Sequence, residues 1–357
     1  MDFALDELQT DLATLAERML RRATSVARLK ELEATGTRLD SALWQELREA
    51  GLTAVGLPEA LGGGGLGFFE HCLVLEQAGK TVAPVPLVWH GAGLMALAHA
   101  GRNAEAQAIA AGEAWMAVSS RRDAGNSLRA SGAALTGQLG AVSYAAGAAA
   151  LLLPARVEDG SWRLFLVDAN ASGMTLQAQA NTALEPAARL QLDAAAAVPI
   201  GDATTPDWLH QRLLVASAAV QVGVLEETIA MTTRYVSERE QFGMKIGSFQ
   251  SVSHRMADAW IDLMNLRLLA RSTASTLDRE PLASLDALST QLWCAEAGHR
   301  VMASCQHVHG GMGHDRDYPL WRYALLARQN EMAHQGQSAC LAELGSEIAR
   351  SPSLAVL

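Results

Sequence analysis

In the first part of the chain, apolar residues recur at helical spacing between glycine-rich turns. One apolar face consists of residues three or four positions apart: Leu5, Leu8, Leu12, Leu15 and Met19. A second amphipathic segment runs from Ala42 to Ala50, and Gly51 follows it. Glycine commonly ends a helix because it adopts the left-handed conformation without strain. Residues 1–113 are therefore predicted to form a helical domain.

The pattern changes between residues 114 and 205, where short apolar runs alternate with turn residues. The runs are WMAVSS, AALTG, AALLLPARV, WRLFLVDA and ARLQLDA, and they are separated by Gly, Asp, Asn and Pro. Runs of this length and spacing are typical of β-strands that close a small barrel or sandwich. We therefore expect a middle β-domain.

Long helical patterns return in residues 206–357. The predicted helices cover residues 206–240, 247–278, 283–309 and 320–348. They are punctuated by Pro281, by the pair Gly310 and Gly311, and by Pro319, all of which are residues that interrupt helices. The order helix, strand, helix predicts an α+β protein of three domains.

Composition restricts the class of protein. The chain has 357 residues, of which 50% are hydrophobic and 18% charged, as in a globular protein with a large core. The net charge of −10 argues against general binding to nucleic acids or anionic membranes. No apolar run reaches the length of a membrane span, and the acidic amino terminus lacks the pattern of a signal peptide.

The four cysteines, Cys72, Cys294, Cys305 and Cys340, have no CxxC spacing. They predict reduced thiols and a cytoplasmic protein.

A run of glycines, LGGGGLG from Leu61 to Gly67, has two interpretations. Glycine-rich loops can hold phosphates, but here no Lys-Ser/Thr follows and no strand pattern precedes the run. The alternative is a tight turn between two helices, which the sequence favours.

Two later segments carry most of the candidate chemistry. The first is RYVSEREQFGMKIGSFQSVSHRMADAW, residues 234–260. Arg239 ends a helical pattern and can bind a pyrophosphate through charge-assisted hydrogen bonds. Phe242 can pack against an adenine or flavin ring, and Gln250 can hydrogen-bond to the edge of such a ring.

The second segment is CQHVHGGMGHDRDYPLWRY, residues 305–323. Gly310 and Gly311 lack side chains, so backbone N–H groups there can approach phosphate or ribose oxygens. The same glycines could serve as a helix C-cap. Metal binding is a further interpretation, because ligand types crowd into residues 305–315: Cys305, His307, His309, His314 and Asp315. No second ligand cluster accompanies them, and we expect no metal.

Together these segments strongly resemble the carboxy-terminal domain of the acyl-CoA dehydrogenase family, flavoproteins that introduce a double bond next to an acyl thioester. The stretch AGLTAVGLPEALGGGGLGFFEHCLVLEQAGKTVAPVPL resembles the family's amino-terminal helical domain. The resemblance covers nearly the whole chain. It implies a helical domain, a β-domain and a four-helix bundle that mediates oligomerisation, with acyl-CoA as substrate and an electron-accepting flavoprotein as partner.

The resemblance also implies an FAD site. In the family, the residues that match Arg239, Phe242 and Gln250 hold the adenine half of FAD. The loop that matches His307, Gly310 and Gly311 meets the FAD of a neighbouring subunit.

The middle domain departs from the family pattern. The family's Thr-Glu-Pro and Gly-Ser-Asp segment corresponds here to AVSSRRDAGNS, which retains Ser119. A second flavin segment corresponds to GAVSYAAG, where Ser143 keeps the hydroxyl but Ala141 replaces a bulky aromatic residue. Ser119 and Ser143 are the candidate hydrogen-bonding partners of the flavin ring, which has lost its usual shielding.

The family's catalytic glutamate is missing. Its usual position corresponds to His334, and the position used by some members corresponds to Gln211. Three interpretations remain open. The chain is a non-catalytic subunit of a hetero-oligomer whose paralogous subunit supplies the glutamate, as in short members linked to steroid side-chain degradation. Alternatively, it is a homomer that uses His334 or Glu331 as the base. Finally, it is a scaffold without flavin chemistry. The pattern favours the first interpretation.

Overall fold

A computed structural model describes residues 4–36, 38–120 and 125–350 of the chain. The described residues of the amino-terminal part form six α-helices: α1 (Glu7–Ala23), α2 (Val26–Ala34), α3 (Ser41–Glu49), α4 (Phe68–Lys80), α5 (Leu87–His99) and α6 (Asn103–Ala111). Helix α1 begins with a capping box, in which the Asp6 carboxylate accepts the N–H of Gln9 and the Gln9 side chain accepts the N–H of Asp6. Such reciprocal bonds satisfy N–H groups that have no partner within the helix.

The glycine run forms the predicted tight turn before α4. Gly62 and Gly65 have positive φ values of +85° and +66°, and a Cβ atom on Gly63 would lie only 2.1 Å from the Leu57 carbonyl oxygen. The N–H groups of Phe68 and Phe69 donate to the carboxylate of Asp278. A side chain of the protein therefore occupies the helix N-terminus where a phosphate would bind in a P-loop.

Within residues 114–120 and 125–205, the middle domain contains eight strands in one sheet. They are β1 (Met116–Val118), β2 (Arg129–Ser131), β3 (Ala134–Ser143), β4 (Ala150–Arg156), β5 (Trp162–Asp168), β6 (Met174–Gln179), β7 (Ala187–Ala196) and β8 (Val198–Ile200). The strand order is β6-β7-β3-β2-β4-β5-β8, and β1 pairs in parallel with β4. The five predicted runs contribute β1, β3, β4, β5 and β7. Strand β6 was not predicted because its residues are mostly exposed and lack an apolar run.

The carboxy-terminal part contains α7 (Thr205–Glu238), α8 (Gln250–Arg279), α9 (Ser284–His309), α10 (Leu320–Met332) and α11 (Gly336–Arg350). A short hairpin of β9 (Glu240–Gln241) and β10 (Met244–Lys245) connects α7 to α8. The prediction of one continuous helix over residues 320–348 was wrong. The chain leaves the helical conformation at His334, which has φ 53° and ψ 36°, and α11 then begins at Gly336.

Helix α7 is the central helix of the protein and packs against α4, α8, α9 and α10. It is long and apolar enough to cross a membrane, but 78% of its most apolar window is buried inside the protein. Burial of this kind is typical of a core helix. Its length matters for function because two cavities lie along it, some distance apart.

Candidate functional site

The first cavity, which we call the hairpin cavity, lies where the β9–β10 hairpin and the start of α8 meet the end of α9. It has a volume of about 400 Å³. Its lining includes four of the residues singled out in the sequence: Arg239, Phe242, His307 and Gly310. The two sequence segments therefore form one site within one chain.

Phe242 is held in an unusual conformation at the tip of the hairpin. Phe242 and Gly243 have φ values of +55° and +79°, which are typical of a two-residue type I′ turn. Bulky residues are rarely found with positive φ because the Cβ atom is crowded. The Phe242 side chain is also 94% exposed. A strained and exposed aromatic residue is typical of a binding site.

Arg239 follows the last residue of α7 and is exposed on the hairpin cavity. Within the described ranges its guanidinium has no hydrogen-bond or ion-pair partner. The nearby carboxylate of Glu240 lies 2.7 Å from the Lys245 ammonium. Arg239 is therefore available to an anionic ligand.

His309 forms part of the cavity wall. Its Nδ1–H donates to the Cys305 carbonyl over 2.8 Å, so its Nε2 accepts from the Tyr318 hydroxyl over 3.1 Å. The ring stacks on Tyr235 with centroids 4.5 Å apart. Burial lowers the pKa of His309, so the imidazole is neutral at pH 7. Burial also raises the pKa of the Cys305 thiol to about 11, so the thiol is protonated at pH 7.

The two glycines after α9 differ in conformation. Gly310 has φ +57° and ψ −135°, a combination that only glycine adopts readily. A Cβ atom on Gly311 would meet nothing within 4 Å, and Gly311 is not among the residues with positive φ. Gly310 therefore shapes the turn, whereas Gly311 leaves its backbone open to an approaching ligand.

This difference gives a matched pair of variants. Gly310→Ala should lower the free energy of unfolding by about 1–3 kcal/mol because of backbone strain. Gly311→Val should leave stability nearly unchanged and reduce flavin content. Chemical denaturation and the visible absorbance of the purified protein measure the two quantities. A Gly311→Val protein that retains full flavin content would show that no ligand approaches this backbone.

Gln250 does not line the hairpin cavity. It is exposed as the first residue of α8, while Ser251, Val252 and Arg255 line the cavity from the same helix. Arg255 and Tyr235 were not singled out from the sequence. For Tyr235 the available signal was its i, i+4 spacing from Arg239, whereas Arg255 has no such spacing from Gln250.

The second cavity, which we call the central cavity, lies between α5, the sheet, α7 and the end of α10. Its volume is about 390 Å³. The lining residues are Trp89, Val118, Ala141, Ser143, Asn181, Thr182, Ser217, Gln329, Asn330, Met332, Ala333 and His334. Among the described residues, no carboxylate lines this cavity.

The two serines of the middle domain have different positions. Ser143 ends β3 and faces the central cavity together with Ala141. Ser119 is fully buried beyond β1, and its hydroxyl lies 3.4 Å from the Ser120 carbonyl oxygen. Of these two serines, only Ser143 is placed to contact a ligand in the central cavity. The Arg121-Arg122 pair of the same segment lies outside the described residues.

The residues at the two candidate base positions, His334 and Gln211, lie in different parts of the structure. His334 lines the central cavity, and its Nε2 lies 3.5 Å from the Ser217 hydroxyl oxygen. Gln211 is buried away from it. The Gln211 Oε1 accepts the N–H of Ala283 over 2.6 Å, and its Nε2 donates to the Ser284 hydroxyl over 2.7 Å. Gln211 therefore fixes the start of α9.

Glu331 is not placed to orient His334, because α10 ends between them. Its carboxylate accepts a hydrogen bond from Arg328 and lies 3.5 Å from Nδ1 of His299. Glu185 lines an adjoining cavity of about 50 Å³, which shares Trp89, Ser217, Gln329 and Asn330 with the central cavity. Its carboxyl group accepts hydrogen bonds from Gln329 and Tyr144, and burial raises its pKa.

Three bulky residues near the central cavity have strained backbones. Tyr144 follows Ser143 with φ +56°, Leu184 follows the Asn181–Thr182 edge with φ +62°, and His334 has φ +53°. Each such residue costs roughly 1–3 kcal/mol. The cluster of strain indicates that the cavity has a function.

Comparisons with known proteins give matches over both helical domains. Residues 6–112 match the model of the acyl-CoA dehydrogenase N-terminal domain, and residues 208–347 match that of the C-terminal domain. Acyl-CoA dehydrogenase FadE27 of Mycobacterium tuberculosis is 35% identical, over 99% of this chain and 100% of that protein.

Two solved structures, each named after a pair of proteins, are also similar to this chain. The Tcur3481-Tcur3483 steroid ACAD G363A variant has a TM-score of 0.92 and 34% identity, covering 97% of this chain and 99% of that chain. The ChsE4-ChsE5 complex from Mycobacterium tuberculosis has a TM-score of 0.90 and 34% identity, covering 99% of this chain and 100% of that chain. The chain belongs to the acyl-CoA dehydrogenase family, whose members are oxidoreductases that act on CH–CH groups.

Proposed function

We propose that this chain is the base-lacking subunit of a hetero-oligomeric, FAD-dependent acyl-CoA dehydrogenase. The observation that carries the proposal is the central cavity, where His334 takes the place of the family's glutamate and no described carboxylate contributes to the lining. The strained residues around the cavity argue against a scaffold that has lost its site.

The residues of both cavities fit FAD. The hairpin cavity offers to an adenine nucleotide the exposed ring of Phe242 and the guanidinium of Arg239, which has no partner among the described residues. Gly311 is not part of the cavity lining, but it follows Gly310 of the lining and has open space around it. Ser143 offers a hydroxyl to a flavin ring in the central cavity. When FAD is bound, its isoalloxazine ring supplies the hydride acceptor for dehydrogenation of the acyl thioester.

The separation of the two cavities favours sharing of FAD between subunits. Ser217 lines the central cavity and Tyr235 lines the hairpin cavity, and both belong to α7. Eighteen residues of helix span about 27 Å, so a single FAD would have to bridge this distance to use both cavities of one chain. In an oligomer, the hairpin cavity of one chain can instead receive the adenine half of an FAD whose flavin lies in the neighbour.

Helix α8 has an outward face suited to oligomerisation. Trp260, Ile261 and Leu268 are 51%, 56% and 52% exposed. Ile261 and Leu268 lie opposite the buried residues Ala259, Leu263 and Leu266, and Trp260 lies to the side of them. Exposed apolar side chains that cluster on a surface are typical of protein–protein contacts. This face supports the proposal that the chain works with a second subunit.

Arg239→Ala tests the FAD site. Loss of a charge-assisted contact of about 1.5–3 kcal/mol should weaken FAD binding by roughly 10- to 100-fold. Flavin content and titration of the flavin-free protein with FAD measure the effect. The control is Arg18→Ala, which removes an exposed arginine of α1 outside the cavity.

Size-exclusion chromatography with light scattering adds the second arm of this experiment. Flavin should elute with the oligomer and be absent from the monomer. A monomer that retains stoichiometric flavin would contradict sharing, and an unchanged affinity in Arg239→Ala would contradict the hairpin cavity as the site.

The second candidate function is a homomeric dehydrogenase that uses His334 as its base. It is favoured by the position of His334 in the central cavity, 3.5 Å from the Ser217 hydroxyl.

A further inference from the structure

The geometry points to Arg255 as a second phosphate-binding residue of the hairpin cavity, one that acts with Arg239 on the pyrophosphate of the dinucleotide. The inference rests on the proposed function and adds a residue to which the family resemblance assigned no role. It starts from the second turn of α8, where Ser251, Val252 and Arg255 lie on one helix face and line the cavity.

The two positive charges on the cavity favour binding of a pyrophosphate. Arg255 and Arg239 are both exposed on the same cavity, and in the part of the chain that the structure describes neither has a hydrogen-bond or ion-pair partner. Two guanidiniums facing one cavity repel each other unless an anion lies between them. A pyrophosphate carries two negatively charged groups, which matches the two arginines in number as well as in sign.

The N-terminus of α8 adds partial positive charge to the same cavity. Helix α8 has 30 residues, and no side chain caps its N-terminus, which follows Phe249 at the cavity wall. The first N–H groups of such a helix carry partial positive charge and attract anions. The N-terminus and the two arginines therefore make one side of the cavity positive in a chain whose net charge is −10.

The hairpin leaves this positive charge uncompensated. Its carboxylate, Glu240, is paired with Lys245. His309, another polar group of the wall, is already engaged because it bonds to Cys305 and Tyr318. The aromatic rings of Phe242 and Phe249, with centroids 6.3 Å apart, leave an apolar surface for a base beside the charged one.

The experiment uses the full-length protein in its native assembly, freed of flavin and titrated with FAD, ADP and adenosine at several salt concentrations. Arg255→Gln should weaken FAD and ADP binding by about tenfold or more, as expected for a lost charge-assisted contact. Adenosine binding should stay unchanged because it has no phosphate. Arg255→Lys should recover part of the affinity, since it keeps the charge but loses the paired geometry.

The control is Arg279→Gln, which removes an exposed arginine from the other end of the same helix. Equal FAD affinity in Arg255→Gln and the wild type, with weaker binding in Arg239→Ala, overturns the inference and leaves the proposed function intact. Equal weakening of adenosine and ADP also overturns it, because Arg255 would then be structural. Failure of the wild-type protein to bind FAD contradicts the proposed function itself.

Discussion

The isolated chain should dehydrogenate acyl-CoA thioesters at a rate about 10²–10⁴-fold below that of an assembly that contains the glutamate, the usual contribution of a general base. The reason is the lining of the central cavity, which includes His334, the residue that the resemblance matches to the family's base, and no described carboxylate. Gln211, the alternative position, has no titratable acceptor and holds the start of α9. Reduction of an artificial electron acceptor in the presence of acyl-CoA measures this rate.

Addition of the paralogous subunit that carries the glutamate should restore the rate. In that assembly, His334→Ala should have little effect, because the base belongs to the other subunit. The contrary result is equally clear. Brisk turnover by the isolated chain, abolished by His334→Ala while FAD stays bound, would make His334 the base and would eliminate the hetero-oligomer proposal. The Ser217 hydroxyl, 3.5 Å from its Nε2, would then be one of its hydrogen-bonding partners.

The second large effect concerns stability in acid. His71 and His90 are 0% and 1% exposed in the amino-terminal domain. Burial lowers the pKa of His71 to about 4 and that of His90 to about 3. His90 Nδ1 accepts the Met116 N–H over 3.1 Å, so the ring is neutral. The two nitrogens of His71 have no hydrogen-bond partner among the described residues.

The direction of the pH dependence of stability follows from proton uptake by the two histidines. The unfolded chain binds protons at these histidines near pH 6.5, whereas the folded chain does so only near pH 4 and 3. Stability is therefore retained above pH 6.5 and lost as the pH falls from 6.5 towards 3. At pH 5 the loss is about 2 kcal/mol for each imidazole. We expect the free energy of unfolding to fall by about 4 kcal/mol between pH 7 and pH 5 from this pair.

Urea denaturation at a series of pH values measures this loss. His71→Gln should flatten the acid side of the curve, because an amide does not titrate in this range. The matched control is His254→Gln, which replaces an exposed histidine of α8 and should leave the slope unchanged. An identical acid slope in the wild type and in His71→Gln would exclude the buried imidazole as the cause.

Much of the candidate site was predictable because its residues are close together in the sequence. Arg239 and Phe242 belong to one turn between helices, and His307 and Gly310 belong to another. Helix ends and glycine pairs are local features, so their chemistry can be inferred without the fold. The two turns meet in one cavity because α7 packs against α9. No local sequence pattern specifies that packing.

The wrong and missing predictions also result from contacts between residues that are distant in sequence. Helical periodicity continues through residues 320–348, yet the chain turns at His334, where it meets the central cavity. Arg255 is one polar residue among many exposed positions of α8, and it became a candidate only when the cavity was located. Ser119 and Ser143 are both serines near strand ends, but one is buried and the other faces the cavity.

The sequence by itself determined the order of helical, β and helical regions, the family and the absence of a glutamate at two positions, because periodicity and motifs are local properties. Only the tertiary structure decided which residues share a cavity. Trp89, Ser143 and Ser217 come from three parts of the chain and line one space with His334. Their proximity results from packing α5, the sheet and α10 around α7, and packing depends on contacts between residues that are distant in sequence.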